Sequence, residues 1–238
     1  MRRFYHPQAL TANQASHLSE GASHHISRVL RLNPGEQIVV FDGHSGEWLC
    51  EISTVERKVV TVLPVQFNAV LRTPMAEATL GLPLIKGDRM DMAIQKATEM
   101  GVRRIQLLDT RYTDVRLRGE RLEKKLEHWQ RIIASACEQC ELNVLPQLLP
   151  VAPILEWLPT VATPLRLIAH PGQVPLRQLL PATPQALTLI TGPEGGFTDE
   201  EVAAAQAQGF HCITLGERIL RAETAPIALL GAIWAQWE

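Results

Sequence analysis

Apolar and polar residues alternate along the first third of the chain. Gln37–Phe41, Trp48–Ile52 and Lys58–Val65 read as short strands, punctuated by Asn33-Pro34-Gly35 and by Asp42–Gly46. Arg2–Tyr5 reads as an edge strand, and the set predicts a small β barrel over residues 1–72. Ser23–Arg31 reads as a helix capped by Ser23, with Ile26, Val29 and Leu30 inward and His24, Arg28 and Arg31 on a second face. The period fades over 66–78, and Thr73-Pro74 marks a linker. From Thr79 strand and helix periods take turns. Leu80–Ile85, Arg104–Leu108, Val144–Leu148 and Leu165–Ala169 read as strands. Met90–Met100, closed by Gly101, and Gly119–Cys140 read as helices. Such alternation predicts an α/β fold with a parallel sheet covered on both faces.

The stretch from Leu187 to Ala225 is the most informative. Ala186–Ile190 is a strand that runs into Thr191-Gly192-Pro193-Glu194-Gly195-Gly196. Thr198 begins a helix with Glu201 completing a capping box, and Gly209 ends it. Ile213–Leu215 is the next strand, and Gly216 opens a second irregular segment. The last helix follows, with Thr224 as its cap and Pro226 in its first turn. Two glycine loops at the carboxyl ends of neighbouring strands are where an open α/β sheet binds ligands. Neither a P-loop nor a dinucleotide fingerprint is present, and Glu194 sets a carboxylate where a phosphate would sit. The loops therefore read as a pocket for an uncharged or cationic small molecule. The competing reading is a pair of turns whose glycines only satisfy backbone geometry.

Composition narrows the class. With 46% apolar residues among 238, the chain is no disordered tail, and no apolar run is long enough to span a bilayer. A cytoplasmic protein is the expectation. Net charge is −2, but it is unevenly spread: residues 86–131 carry twelve basic against eight acidic side chains, residues 132–238 four against ten. Phosphate contacts should lean on the middle segment and on local patches. Cys137-x-x-Cys140 lacks a second pair and shares one helix face, so free thiols are expected and no metal site is read.

Gly192–Gly196, followed by Leu215-Gly216-x-Arg218-Ile219-Leu220-Arg221-x-Glu223-Thr224-Ala225, closely resembles the paired signature of the small-subunit (16S) ribosomal RNA uracil-N3 methyltransferases of the SPOUT class. The likeness continues through Lys86–Asp91, Gln95–Gly101, Ala136–Gln139, Arg2-Arg3-Phe4 and His25-x-x-x-Val29-Leu30-Arg31. It implies a PUA-like domain at 1–72 and a SPOUT methyltransferase domain at 73–238 with a C-terminal trefoil knot. It also implies S-adenosylmethionine as cofactor, held by Leu167, His170, Ile190, Gly192, Pro193, Gly195 and Gly196. Leu215, Gly216, Ile219, Leu220 and Thr224 would complete that site. RNA contacts fall on Arg2, Arg3, His25, Arg28, Arg31, Lys86 and Arg111, and the partner is 16S rRNA or the assembled small subunit. Two positions depart from the family. Glu141-Leu142 stands where Gly-Arg is usual, and Arg111-Tyr112 where Glu-Arg is usual, leaving Arg111, Arg116 or Arg118 to take over a missing contact.

Charge suggests roles. Methyl transfer from a sulfonium to uracil N3 needs a proton acceptor and a stabiliser for the uracil anion. Arg221 is the best stabiliser. Glu194 and Glu223 are candidate proton acceptors, though a loop-tying role is favoured for both. A ribose 2′-O-methyltransferase, whose loop carries asparagine, is the nearer alternative. A non-catalytic RNA-binding protein of the same fold is the other. In the C-terminal helix Ile227, Leu230, Trp234 and Trp237 share a face that Leu229 and Ile233 widen. Its own domain or a partner chain could cover that face, and the resemblance favours a homodimer.

Overall fold

The computed structural model describes residues 1–170 and 174–237. The chain divides into two compact units: Met1–Thr73 with Ala134–Leu145, and Pro74–Ile133 with Pro146–Glu238.

In the first unit, β1 (Arg3–Tyr5), β2 (Ser16–His17), β3 (Gln37–Phe41), β4 (Glu47–Val55) and β5 (Val60–Asn68) form one sheet in the order β1-β3-β4-β5-β2. The ladder has two ends, and β1 lies at an edge, parallel to β3. Alternation places Ile38 and Val40, Cys50 and Ile52, and Val60 and Val62 in a common core with Phe4 and Ile26. Two register shifts between β4 and β5 bend the sheet.

The helix after β2 differs from its sequence reading. α1 spans Glu20–His24 with Ser19 as N-cap, and His25–Leu30 continue it as a π-helical turn. Ser23 is no cap: its buried hydroxyl donates to Leu18 O and accepts from Val60 N. The wider π turn rotates Val29 out to 62% exposure, so only Ile26 of the expected inward face is fully buried. Arg31 ends the turn at φ 52°.

Arg3 also departs from expectation. Its side chain is buried against Glu47, which accepts as well from Arg72 Nε and Nη2, both at 3.2 Å, and from Asn143 Nδ2 at 3.1 Å. Arg3 is therefore a structural cation rather than an RNA contact. Burial alone would raise the Glu47 carboxyl, but the hydrogen bonds from Arg72 and Arg3 outweigh it and hold the group below the usual range.

The second unit holds β6 (Ala78–Pro83), α2 (Asp88–Glu99), β7 (Arg104–Asp109), most of α3 (Glu120–Cys140), β8 (Gln147–Pro153) and α4 (Ile154–Trp157). β9 (Leu165–Ala169), α5 (Leu176–Leu179), β10 (Leu187–Ile190), α6 (Asp199–Ala207), β11 (His211–Ile213) and α7 (Thr224–Trp237) follow. The six strands run parallel in the order β11-β9-β10-β6-β7-β8. Every residue of β6 and β10 is buried, as befits central strands of a parallel sheet. Late strands lying beside both early and middle ones are consistent with the knot that the resemblance implies.

α7 is covered by its own unit. Leu229, Leu230, Ile233, Trp234 and Trp237 are buried, Trp234 Nε1 donates to Met100 O at 2.6 Å, and Trp237 Nε1 to Pro181 O at 2.8 Å. The apolar face expected to need a partner chain is thus largely spent within the chain; Ile227, Ala228, Gly231 and Ala232 stay half-covered. Among the described residues no helix is long and apolar enough to cross a membrane, and no three His, Cys, Asp or Glu side chains gather to hold a metal. Burial pushes the Cys137 thiol up to about 12, far from reactive thiolate chemistry.

Candidate functional site

The two glycine loops leave β10 and β11, which are not neighbours: β9 runs between them. Residues at the end of β9 therefore join the site, and His170 N donates to Ile213 O at 3.2 Å. Pro171 and Gly172, which follow His170 in the sequence, lie outside the described residues.

The loop after β10 is built to hold one shape. Thr191 N donates to Gly81 O, and Gly196, at φ 73°, donates to Pro193 O at 2.9 Å. Thr198 caps α6 with the full capping box, and Glu201, 3% exposed, has its other oxygen accepting from Arg111 N at 2.8 Å. A Cβ on Gly195 would come within 2.8 Å of Tyr112 Cβ, so this glycine lets Tyr112 pack on the loop. The loop after β11 turns at Gly216 (φ 72°), where Thr214 Oγ1 donates to Gly216 O at 2.8 Å. Thr224 is the first residue of α7 rather than a cap preceding it, and its N–H donates to Arg221 O at 2.9 Å.

Between these loops lies a cavity of about 670 Å³, within the range of small-molecule sites. Its wall contains His170, Gly192, Pro193, Glu194, Gly195, Gly196, Leu215, Gly216, Ile219, Leu220, Arg221 and Glu223, all anticipated from the sequence. Leu167 and Ile190 are not among its lining residues. They are strand residues with no exposed surface, and Ile190 packs with Phe197 and Val202 behind the wall. Thr224, exposed at the start of α7, is likewise not among them.

Sequence reasoning missed Arg89, although it stands in the quoted Lys86–Asp91 string. From α2 it reaches the cavity wall, with Nη1 3.5 Å from Glu194 Oε1 and Nε 4.0 Å from Glu223 Oε1. Two polar atoms at or behind the wall, Thr191 Oγ1 and Glu223 Oε2, are buried without a partner. Of the cations expected to meet RNA, Arg2, His25, Arg28 and Arg31 are exposed in the first unit. Lys86 is exposed and paired with Asp114 at 2.7 Å, which raises its pKa. Arg111 is exposed, and Arg116 is paired with Asp109.

A family model described as an RNA methyltransferase domain matches residues 72–234, and one described as an RNA methyltransferase PUA domain matches residues 18–65. The chain is 34% identical over 228 residues to the Synechocystis protein named ribosomal RNA small subunit methyltransferase E, covering 93% of this chain and 73% of that one. The Bacillus subtilis protein of that name is 30% identical, with 90% and 88% covered. Among solved structures, a methyltransferase of Legionella pneumophila in complex with bound SAM shares 36% identity at a TM-score of 0.93, covering 98% and 96%. The Neisseria gonorrhoeae small subunit methyltransferase E bound to S-adenosyl methionine shares 32% at 0.91, covering 100% and 98%.

Proposed function

The chain belongs to the RNA methyltransferase family, and from that premise we propose that it methylates N3 of a uridine in 16S rRNA of the small ribosomal subunit, using S-adenosylmethionine in the cytoplasm. Residues 73–238 carry the transfer, and residues 1–72 help to hold the RNA. The cavity between the β10 and β11 loops is the observation that supports this reading most. Its size suits the cofactor, and Gly196 and Gly216 take left-handed conformations that bring backbone rather than side chain to the wall.

His170, the Gly192–Gly196 loop and the Leu215–Leu220 segment would hold the cofactor. S-adenosylmethionine, when bound, supplies an electrophilic methyl on a sulfonium. Arg221, exposed on the wall, offers a cation to the charge that develops on the uracil oxygens. Arg2, His25, Arg28 and Arg31 offer charge to RNA phosphates from the first unit, and Lys86 and Arg111 from the second. A homodimer through α7 would use its half-covered stripe of Ile227, Ala228, Gly231 and Ala232; a monomeric, fully active protein in sedimentation would remove it.

Nucleoside analysis of ribosomal RNA from a deletion strain tests the reading. N3-methyluridine should disappear and return with a plasmid copy. Loss of a ribose methyl instead would identify a 2′-O-methyltransferase, and no lost modification a non-catalytic RNA-binding protein.

A further inference from the structure

Glu223 is the residue just before α7, 8% exposed and part of the cavity wall. One carboxylate oxygen has a long ion pair, 4.0 Å from Arg89 Nε, and the other meets no donor at all. A buried carboxylate oxygen left without a donor is unfavourable, and a polar group placed so beside a cavity is one that a ligand completes. Glu194 differs. Its side chain is 38% exposed and lies 3.5 Å from Arg89 Nη1, so water and the guanidinium already serve it. The site therefore contains two carboxylates on one arginine, and only Glu223 keeps a dry, free lone pair.

We propose that Glu223 accepts the N3 proton of the target uracil and that Arg89 positions it; this rests on the uridine-N3 reading above. Oε2 takes the imide proton as the N3–H bond breaks. The freed electron pair on N3 forms the bond to the methyl carbon, and the carbon–sulfur bond breaks with its pair going to sulfur. A sulfonium and an imide become a thioether and an N-methyl imide, and the proton passes from Glu223 to water after product leaves. Arg89 pairs with the opposite oxygen at 4.0 Å, which leaves Oε2 without a competing donor. Within this proposal Glu194 has no proton to take, and its contact with Arg89 joins the β10 loop to α2.

The test uses the full-length protein with small-subunit RNA substrate. Glu223→Gln keeps the shape and removes the base, so single-turnover methyl transfer should fall by about 100-fold or more. Calorimetric affinity for S-adenosylmethionine should stay within about threefold of wild type. Substrate containing 5-fluorouridine, whose N3 is more acidic, should restore at least about tenfold of the variant's rate while changing wild type little. Arg89→Ala should slow transfer, Arg89→Lys should recover much of it, and Arg89→Ala should cost nothing further in the Glu223→Gln background. A Glu223→Gln protein transferring methyl within about threefold of wild type would overturn the assignment. A parallel loss of cofactor affinity would also overturn it, making Glu223 a cofactor residue, as would the absence of any 5-fluorouridine rescue. Wild type that forms no N3-methyluridine overturns the parent reading together with this one, and shows it before any variant is compared.

Discussion

Glu47 in the first unit and Glu223 in the second are both carboxylates withdrawn from water, 6% and 8% exposed, yet their surroundings are opposite. Glu47 is met by two arginines and an asparagine amide, and the same Asn143 accepts from Arg72 N at 2.7 Å and donates to Val70 O at 2.7 Å. Glu223 has one distant guanidinium and an oxygen with nothing. Burying a charge contributes to a fold only where donors surround it. Where the fold leaves a donor out, the carboxylate is poised for something that arrives. Glu201 lies between the two cases: its partners are backbone N–H groups and a hydroxyl, and they shape the loop beside the cavity.

This contrast can be broken by substitution. Glu47→Ala should be the most damaging change, leaving Arg3 buried and unpaired at about 3–5 kcal/mol, read from chemical denaturation of the first unit. A loss below about 1 kcal/mol would mean that the surrounding donors find water instead. Glu201→Ala should cost about 1–2 kcal/mol through the lost capping box, and should loosen the backbone at Arg111, measurable as faster amide exchange there. Glu223→Gln should leave stability within about 1 kcal/mol of wild type, despite the loss of transfer expected above. Equal destabilisation by Glu223→Gln and Glu47→Ala would erase the distinction. The gentlest probe is pH. Because the Glu47 carboxyl is held below its ordinary value, its stabilisation is fully present above the unfolded pKa of about 4.3 and is lost as pH falls through the depressed folded value. Acid unfolding of a Glu47→Gln variant should therefore start from lower stability and show a shallower slope in that window.

Local pattern was legible wherever a residue's fate is decided by its sequence neighbours. Gln37–Phe41 and Leu165–Ala169 are strands at the expected residues, the Thr198–Glu201 capping box is present, and Gly209 ends α6 at φ 79°. Most of the cavity wall was legible too, since both loops carry it in contiguous strings. Several misreadings share a cause. Ser23 looked like a cap because its acceptor and donor partners include Val60, |i−j| = 37 away. Arg3 looked exposed because Glu47 lies at |i−j| = 44. Arg89 went unassigned because Glu194 is 105 positions distant. Much of the apolar face of α7 is covered within its own unit because Met100 and Pro181 take up its tryptophan N–H groups. No window along the chain contains such pairs.

The first unit is also discontinuous, and that has a bearing on how the protein is made. Its first segment ends at Thr73, but Ala134–Leu145 complete it, supplying Asn143 to Glu47, Glu138 to the backbone of Tyr5, and the N–H of Leu145 to Gly43 O. Translation proceeds at about 5–20 residues per second, so the nascent sheet waits several seconds for these partners while β6, α2, β7 and the start of α3 emerge. During that interval Glu47 lacks its amide and Tyr5 its carboxylate. Vectorial synthesis therefore completes the first unit only after part of the second has emerged, and a gene fragment cut at the linker would code for an N-terminal piece without its last stabilising segment.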